Sequence, residues 1–287
     1  MIGVLVVDKP RGVTSSDVVV KVKKLLNEKK VGHMGTLDPL AEGVLPLGIG
    51  RATKLFDLYL KKTKEYIATF TFGSETDTLD LEGEVVETSD IIPTKEQLKK
   101  AIKENFLGEI KQLPPKYSSK KISGRRACDI IRHGGKVELE PCEVEIYSFD
   151  VLDEVERGVF RFRISCSAGT YIRSLARDVA RAAHSVATMT KLVRTKCGPF
   201  LLENSVKFDK LSYDEISLHL LPLERVLAEL TRVDVSAEEL TKLRNGIKYA
   251  KFVGKCGLND VAVWNENKVV GLGETRLDGW LSVKTYF

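Results

Sequence analysis

Three separated stretches of this chain alternate apolar and polar side chains at a period of two. They are residues 65–73 (EYIATFTFG), 142–152 (CEVEIYSFDVL) and 159–168 (VFRFRISCSA). That period buries one side of a strand and half-covers the other, which is the habit of antiparallel sheet. Two further apolar runs stand out: residues 3–10 (GVLVVDKP) read as a short buried strand ending at Pro10, and residues 44–50 (VLPLGIG) as a second apolar strand or a turn. Helix signals lie between the strands. Thr14 to Asp17 forms a capping box ahead of Val18, Val22, Leu25 and Leu26 on one helical face. Thr94 with Gln97 opens a second helix, with Leu98, Ala101, Ile102 and Phe106 inward. A third is expected from Thr170, with Ile172, Leu175, Ala176, Val179 and Ala183 inward. These elements do not alternate as βαβ units. The expected fold class is therefore α+β, with a mixed, mainly antiparallel central sheet and flanking helices.

At 287 residues the chain suits one large domain or two unequal ones. From Arg232 the texture changes to a short helix (residues 237–244), Asn245-Gly246 and short strands, so a small β-rich module is expected over residues 232–287. No stretch is apolar and long enough to span a bilayer, and the start lacks a signal-peptide pattern, so a cytoplasmic protein is expected. The five cysteines, Cys128, Cys142, Cys166, Cys197 and Cys256, are widely spaced with no C-x-x-C. A disulfide framework or structural zinc site is not expected. The net charge of +5 permits an anionic partner without demanding one. Residues 111–136 are more telling. Their lysines and arginines, Lys121, Arg125 and Arg126 among them, face one acid, Asp129. Pro114-Pro115 and three glycines point to an irregular, exposed segment.

The most unusual local feature is the loop Gly32-His33-Met34-Gly35-Thr36-Leu37-Asp38-Pro39. Glycine permits tight turns and close approach to a ligand, and Pro39 restricts the backbone of Asp38. On composition alone the favoured readings are Asp38 as a turn former, His33 as a structural hydrogen-bonding group and Tyr66 as a core aromatic. The loop lacks the G-x-x-x-x-G-K-[ST] phosphate pattern, and one histidine with one carboxylate is too few ligands for a metal.

The run from Gly32 to Leu45, continuing to Gly50-Arg51-Ala52-Thr53-Lys54, resembles the signature of the TruB family, bacterial tRNA pseudouridine-55 synthases. Other blocks follow in the family's order: Asp8-Lys9-Pro10-x-Gly12-x-Thr14-Ser15, Lys64-x-Tyr66, and Gln112-x-Pro114-Pro115-x-Tyr117-Ser118-x-x-Lys121-x-x-Gly124. Then come Cys166-Ser167-x-Gly169-Thr170-Tyr171-Ile172-Arg173-Ser174-Leu175 and Arg194-Thr195-x-x-Gly198-Pro199-Phe200. The stretch 181–194 fits more loosely, with Val193 where the family commonly has arginine. The C-terminal module resembles a PUA domain.

The resemblance implies the pseudouridine synthase fold. It also implies isomerisation of a flipped uridine in the T-loop of tRNA, exchanging the C1′–N1 bond for C1′–C5 without metal, ATP or organic cofactor. By the same resemblance Asp38 is the catalytic aspartate, Arg173 the arginine that orients it, and Tyr66 the tyrosine that stacks on the target base. Tyr171 and Leu192 line the uracil pocket, Lys9 supports a nearby loop, and His33 contacts RNA beside the flipped nucleotide. The basic segment, with Lys121, Arg125 and Arg126, corresponds to an RNA clamp. The expected partner is the tRNA T-arm, and a monomer away from membranes is expected. Three competing readings stand beside this one. They are a non-catalytic RNA-binding or tRNA-folding protein on the same scaffold, a guide-RNA-dependent relative, and a phosphoesterase using His33 and Asp38.

Overall fold

In the computed structural model the three alternating stretches become neighbours in one ten-stranded sheet. Residues 1–118, 120–122, 125–133, 135, 137–247 and 256–287 are described, with backbone alone for residues 121, 122, 125, 126, 128 and 132. The strand order is Val206–Lys207, Gly3–Lys9, Glu42–Ile49, Ala187–Cys197, Lys64–Phe72, Val159–Cys166, Cys142–Glu156 and Gly108–Gln112. Val31–His33 and Phe200–Leu201 pair at the side of this path. Pairing is antiparallel except at two places, Gly3–Lys9 with Val206–Lys207 and Glu42–Ile49 with Ala187–Cys197. The fold class is the expected α+β with a mixed, mainly antiparallel sheet.

The buried side of the alternation carries the core. Phe70 and Phe162 stand 4.6 Å apart, and Phe149 meets Phe162 edge-on at 5.5 Å. Such pairs add stability beyond the area they bury. Two helices cover this face. Lys95–Asn105 buries Leu98, Ala101 and Ile102, and Ile172–Ala182 buries Leu175, Ala176 and Val179. Both expected capping boxes form, at Thr14 with Asp17 and at Thr94 with Gln97. The third helix starts at Ile172 rather than at Thr170. The Thr170 hydroxyl donates to the Ser167 carbonyl at 3.0 Å, which holds the preceding turn, and Tyr171 becomes the cap.

The basic segment is more regular than its Pro and Gly content suggests. It takes in the end of the Gly108–Gln112 strand, a two-stranded pair (Lys121–Ile122 with Arg125–Arg126) and a helix, Ala127–Arg132. The Ala127 N–H donates to the Lys120 carbonyl at 2.9 Å, and Ala127 is buried.

A second, four-stranded sheet is formed by Thr231–Asp234, Val261–Asn265, Lys268–Thr275 and Leu281–Tyr286. One of its sides packs on helix Ala237–Arg244 through Val233, Val263, Leu240 and Leu243. The other side brings Ala262, Val269 and Leu272 against Leu223, Val226 and Leu227 of the preceding chain. No helix among the described residues is long and apolar enough to cross a membrane.

Candidate active site

The loop 34–41 hangs between the helix Ser15–Leu26 and the strand Glu42–Ile49, and buried side chains fix its backbone. Ser15 is buried; its hydroxyl donates to the Leu37 carbonyl at 3.0 Å and accepts from the Leu37 N–H at 2.9 Å. The Lys9 ammonium donates to the carbonyls of Val13 at 2.7 Å, Pro10 at 3.0 Å and Pro39 at 3.4 Å. Burial pushes the Lys9 amine down to about 8, against the opposing influence of Asp38 and Glu42. Arg194, 1% exposed, donates to the carbonyls of Val44 at 2.8 Å, Gly35 at 3.0 Å and Thr36 at 3.4 Å. Gly43, at φ +101°, lets the strand pass so close to Arg194 that a Cβ there would lie 2.3 Å from the Arg194 carbonyl oxygen. With these anchors in place, the Asp38 side chain remains 42% exposed at the surface of a cleft.

That cleft, about 210 Å³, is lined by Asp38, Tyr66, Tyr171, Arg173 and Leu192, and also by Lys64 and Arg194. Arg173 is its hub. One guanidinium nitrogen lies 2.8 Å from an Asp38 carboxylate oxygen and also donates to the Tyr117 carbonyl at 3.1 Å. The other lies 3.1 Å from Asp80 and donates to the Thr78 carbonyl at 3.1 Å. A guanidinium fork saturated in this way has one orientation, and it aims the carboxylate of Asp38. Gln112 holds the helix start from outside: its side chain accepts from the Tyr171 N–H at 2.8 Å and donates to the Tyr171 carbonyl at 3.1 Å.

Tyr66 settles a question its sequence left open: it is buried in the core and also lines the cleft. Burial pushes its phenol up to about 12, with the neighbouring Arg194 acting the other way. The hydroxyl therefore stays protonated at neutral pH, and the ring offers an aromatic face. Burial also pushes the Cys166 thiol up to about 11 and draws the Lys64 amine below its ordinary value. The Lys64 ammonium donates to the carbonyls of Leu60 and Lys62.

Of the sequence-derived site residues, five meet in this cleft. Lys9 sits behind it, under the Asp38 loop. His33 ends the Val31–His33 strand and lines a separate shallow depression with Ser16, Val19, Lys23 and Phe56. The side chains of Lys121, Arg125 and Arg126 lie outside the described residues. Sequence reasoning did not single out Ser15, Lys64, Asp80, Gln112 or Arg194 as site residues. Four of these lie within motif blocks, where they could have been flagged; Asp80 carries no such signal.

A family model described as TruB family pseudouridylate synthase (N-terminal domain) matches residues 23–172. The chain is 39% identical over 287 residues to a tRNA pseudouridine synthase B of Clostridium tetani, covering 99% of each chain. It is 44% identical over 255 residues to that of Halalkalibacterium halodurans, covering 86% of this chain and 84% of that one. Among solved structures it resembles a chain of a Cbf5-Nop10-Gar1 complex at 27% identity and a TM-score of 0.75. That match covers 99% of this chain and 84% of the other. It also resembles a chain of an H/ACA RNP bound to a substrate RNA containing 2′-deoxyuridine, at 26% identity and a TM-score of 0.72. The coverage there is again 99% and 84%.

Proposed function

The chain belongs to the TruB family of pseudouridylate synthases, and from this premise we propose that it acts on the uridine at position 55 in the tRNA T-loop, with Asp38 as the reacting carboxylate. It is an isomerase that converts uridine to pseudouridine in tRNA. The observation that carries the assignment to Asp38 is its ion pair with the saturated Arg173 at the wall of the cleft shared with Tyr66 and Leu192.

The chemistry follows from what the cleft holds. A uridine inside a folded tRNA must leave its stack to reach Asp38, at a cost of about a few kcal/mol. The Tyr66 ring and the Leu192 side chain offer apolar surfaces on which the extruded base rests, offsetting part of that cost. Asp38, held by Arg173, faces the sugar and meets C1′ or its neighbouring 2′ position as the C1′–N1 bond breaks. The base turns and C5 bonds to C1′. Lys9 and Ser15 act through the loop backbone, keeping Asp38 where Arg173 can hold it.

Outside the cleft, the basic segment 111–136 supplies phosphate contacts to the T-arm, with Lys121, Arg125 and Arg126 among them and His33 at the edge of the RNA. Residues 232–287 act as a PUA-like RNA-binding domain. In this reading the protein works as a cytoplasmic monomer; its higher identity to a relative named tRNA pseudouridine synthase B (39%) than to a Cbf5 chain seen in a complex (27%) supports action without such partner chains. A purely RNA-binding role is disfavoured, because the Asp38–Arg173–Asp80 network is more than a binding surface requires.

The test is to map pseudouridine in an unmodified tRNA transcript after incubation with the purified protein alone. Conversion of the uridine at position 55 and of no other supports the assignment. Conversion elsewhere, or none without a guide RNA, refutes it.

A further inference from the structure

Lys64, Tyr66 and Arg194 form one patch of the cleft wall, and its charges do not cancel. Tyr66 and Arg194 are directly paired across neighbouring strands, and Lys64 lies two residues before Tyr66 on the same face. All three are buried and all line the cleft. Arg173 meets two carboxylates, Asp38 and Asp80. Lys64 is held by backbone carbonyls, and Arg194 by backbone carbonyls and the Tyr66 hydroxyl, and among the described residues neither forms an ion pair. Carbonyl dipoles satisfy their hydrogens but leave both charges standing. A buried cation without a counter-ion is costly, and these two lie close enough to repel each other. Retaining such a pair inside a cleft makes sense where a negative charge arises during the reaction.

We propose that Lys64 and Arg194 stabilise the uracil anion formed when the C1′–N1 bond of uridine breaks. This rests on the isomerase assignment above. The bonding pair leaves with N1, so the detached base is a monoanion with its charge spread over N1, O2 and O4. The electron deficit at the sugar is met by Asp38. After the base turns, C5 donates a pair to C1′, which frees Asp38 as a carboxylate and leaves the base neutral; C5 then loses its proton while N1 takes one up from water, giving neutral pseudouridine. Negative charge on the base thus exists only between bond breaking and bond making. A fixed positive potential from two buried cations favours that state over bound neutral uridine, and so raises the rate rather than the affinity.

The test compares single-turnover bond exchange on two tRNA transcripts, one with uridine and one with 5-fluorouridine at the target position. Fluorine withdraws electrons, so the 5-fluorouracil anion needs less help. Wild type, Arg194→Gln and Lys64→Met are followed by nucleoside analysis as disappearance of the starting nucleoside, a readout common to both substrates because 5-fluorouridine has no C5 proton to lose, with tRNA affinity and circular dichroism measured alongside. On uridine the rate is expected to fall about 100-fold in Arg194→Gln and about 10-fold in Lys64→Met, at nearly unchanged affinity. On 5-fluorouridine each loss, relative to wild type, should shrink by about fivefold or more. Equal losses on both substrates would overturn the proposal and leave Arg194 as a brace for the Asp38 loop. Failure of wild type to convert uridine would instead refute the isomerase assignment. If Arg194→Gln does not fold, Lys64→Met decides on the same ratio.

Discussion

Asp80→Asn tests whether Arg173 is held from behind as well as from the cleft. Asp80 is buried; one of its oxygens lies 3.1 Å from Arg173, and the other accepts from the Thr78 hydroxyl at 2.6 Å and the Glu82 N–H at 3.0 Å. Asparagine keeps the size and the second oxygen's bonds but turns an NH₂ donor toward a guanidinium that is itself all donors. Removing one partner of a buried ion pair costs about 3–5 kcal/mol. Arg173 retains Asp38 and the carbonyls of Thr78 and Tyr117, so a loss of about 2–3 kcal/mol is expected. For a chain of this size that lowers Tm by about 3–5 °C. The loosened guanidinium should also misaim Asp38 and reduce turnover about tenfold, while the tRNA Kd changes less than about twofold. Thermal unfolding followed by circular dichroism reads the first effect, and isomerisation with saturating tRNA reads the second. A variant as stable and as active as wild type would refute the claim that Asp80 positions Arg173.

Ser15→Ala strips both bonds from the buried Leu37 peptide groups. It should cost about 1–3 kcal/mol and lower turnover without weakening tRNA binding; unfolding and rate measurements that match wild type would contradict this. Tyr66→Phe keeps the aromatic face and loses only the hydroxyl, so tRNA affinity should hold while turnover falls, and an unchanged rate would show the hydroxyl idle. In wild type, with that phenol pushed up to about 12, the pH–rate profile should show no Tyr66 ionisation at neutral pH. Lys9 has a folded-state amine near 8 against 10.5 unfolded. The unfolded chain binds more protons across that window, so urea stability should rise as pH climbs through it. Lys9→Met should make the rise smaller, leaving the part that the buried Lys64 supplies, and an identical pH dependence in the variant would count against the burial of that charge.

The framework of the fold was legible because it is written in local patterns. The alternation over residues 65–73 corresponds to the Lys64–Phe72 strand, and the boxes at Thr14 and Thr94 open their helices as expected. What stayed hidden depends on contacts distant in sequence. The parallel pairing of Glu42–Ile49 with Ala187–Cys197 has no local signature. Asp80 reads as one more acid in a turn until the chain brings Arg173 beside it. The family resemblance pointed to Asp38, Tyr66 and Arg173, which meet at one cleft. It included Arg194 in a motif block without giving it a role, because its burial against the carbonyls of Val44 and Gly35 exists only in the folded chain. The regular pieces of the basic segment escaped for the opposite reason: short elements closed by bonds such as Ala127 to Lys120 are too brief for any period to show.

The central claim is that an Asp38-dependent uridine isomerase resides in this cleft. Tritium release from a tRNA transcript labelled at uridine C5 tests it most directly, because forming the C1′–C5 bond expels that hydrogen. Wild type and Asp38→Asn should be run side by side on equal amounts of folded protein, with tRNA binding measured for both. The expected result is release of about one tritium per transcript by wild type and none by the variant, at similar tRNA affinity. Appreciable release by Asp38→Asn, or none by folded wild type that binds tRNA, would contradict it.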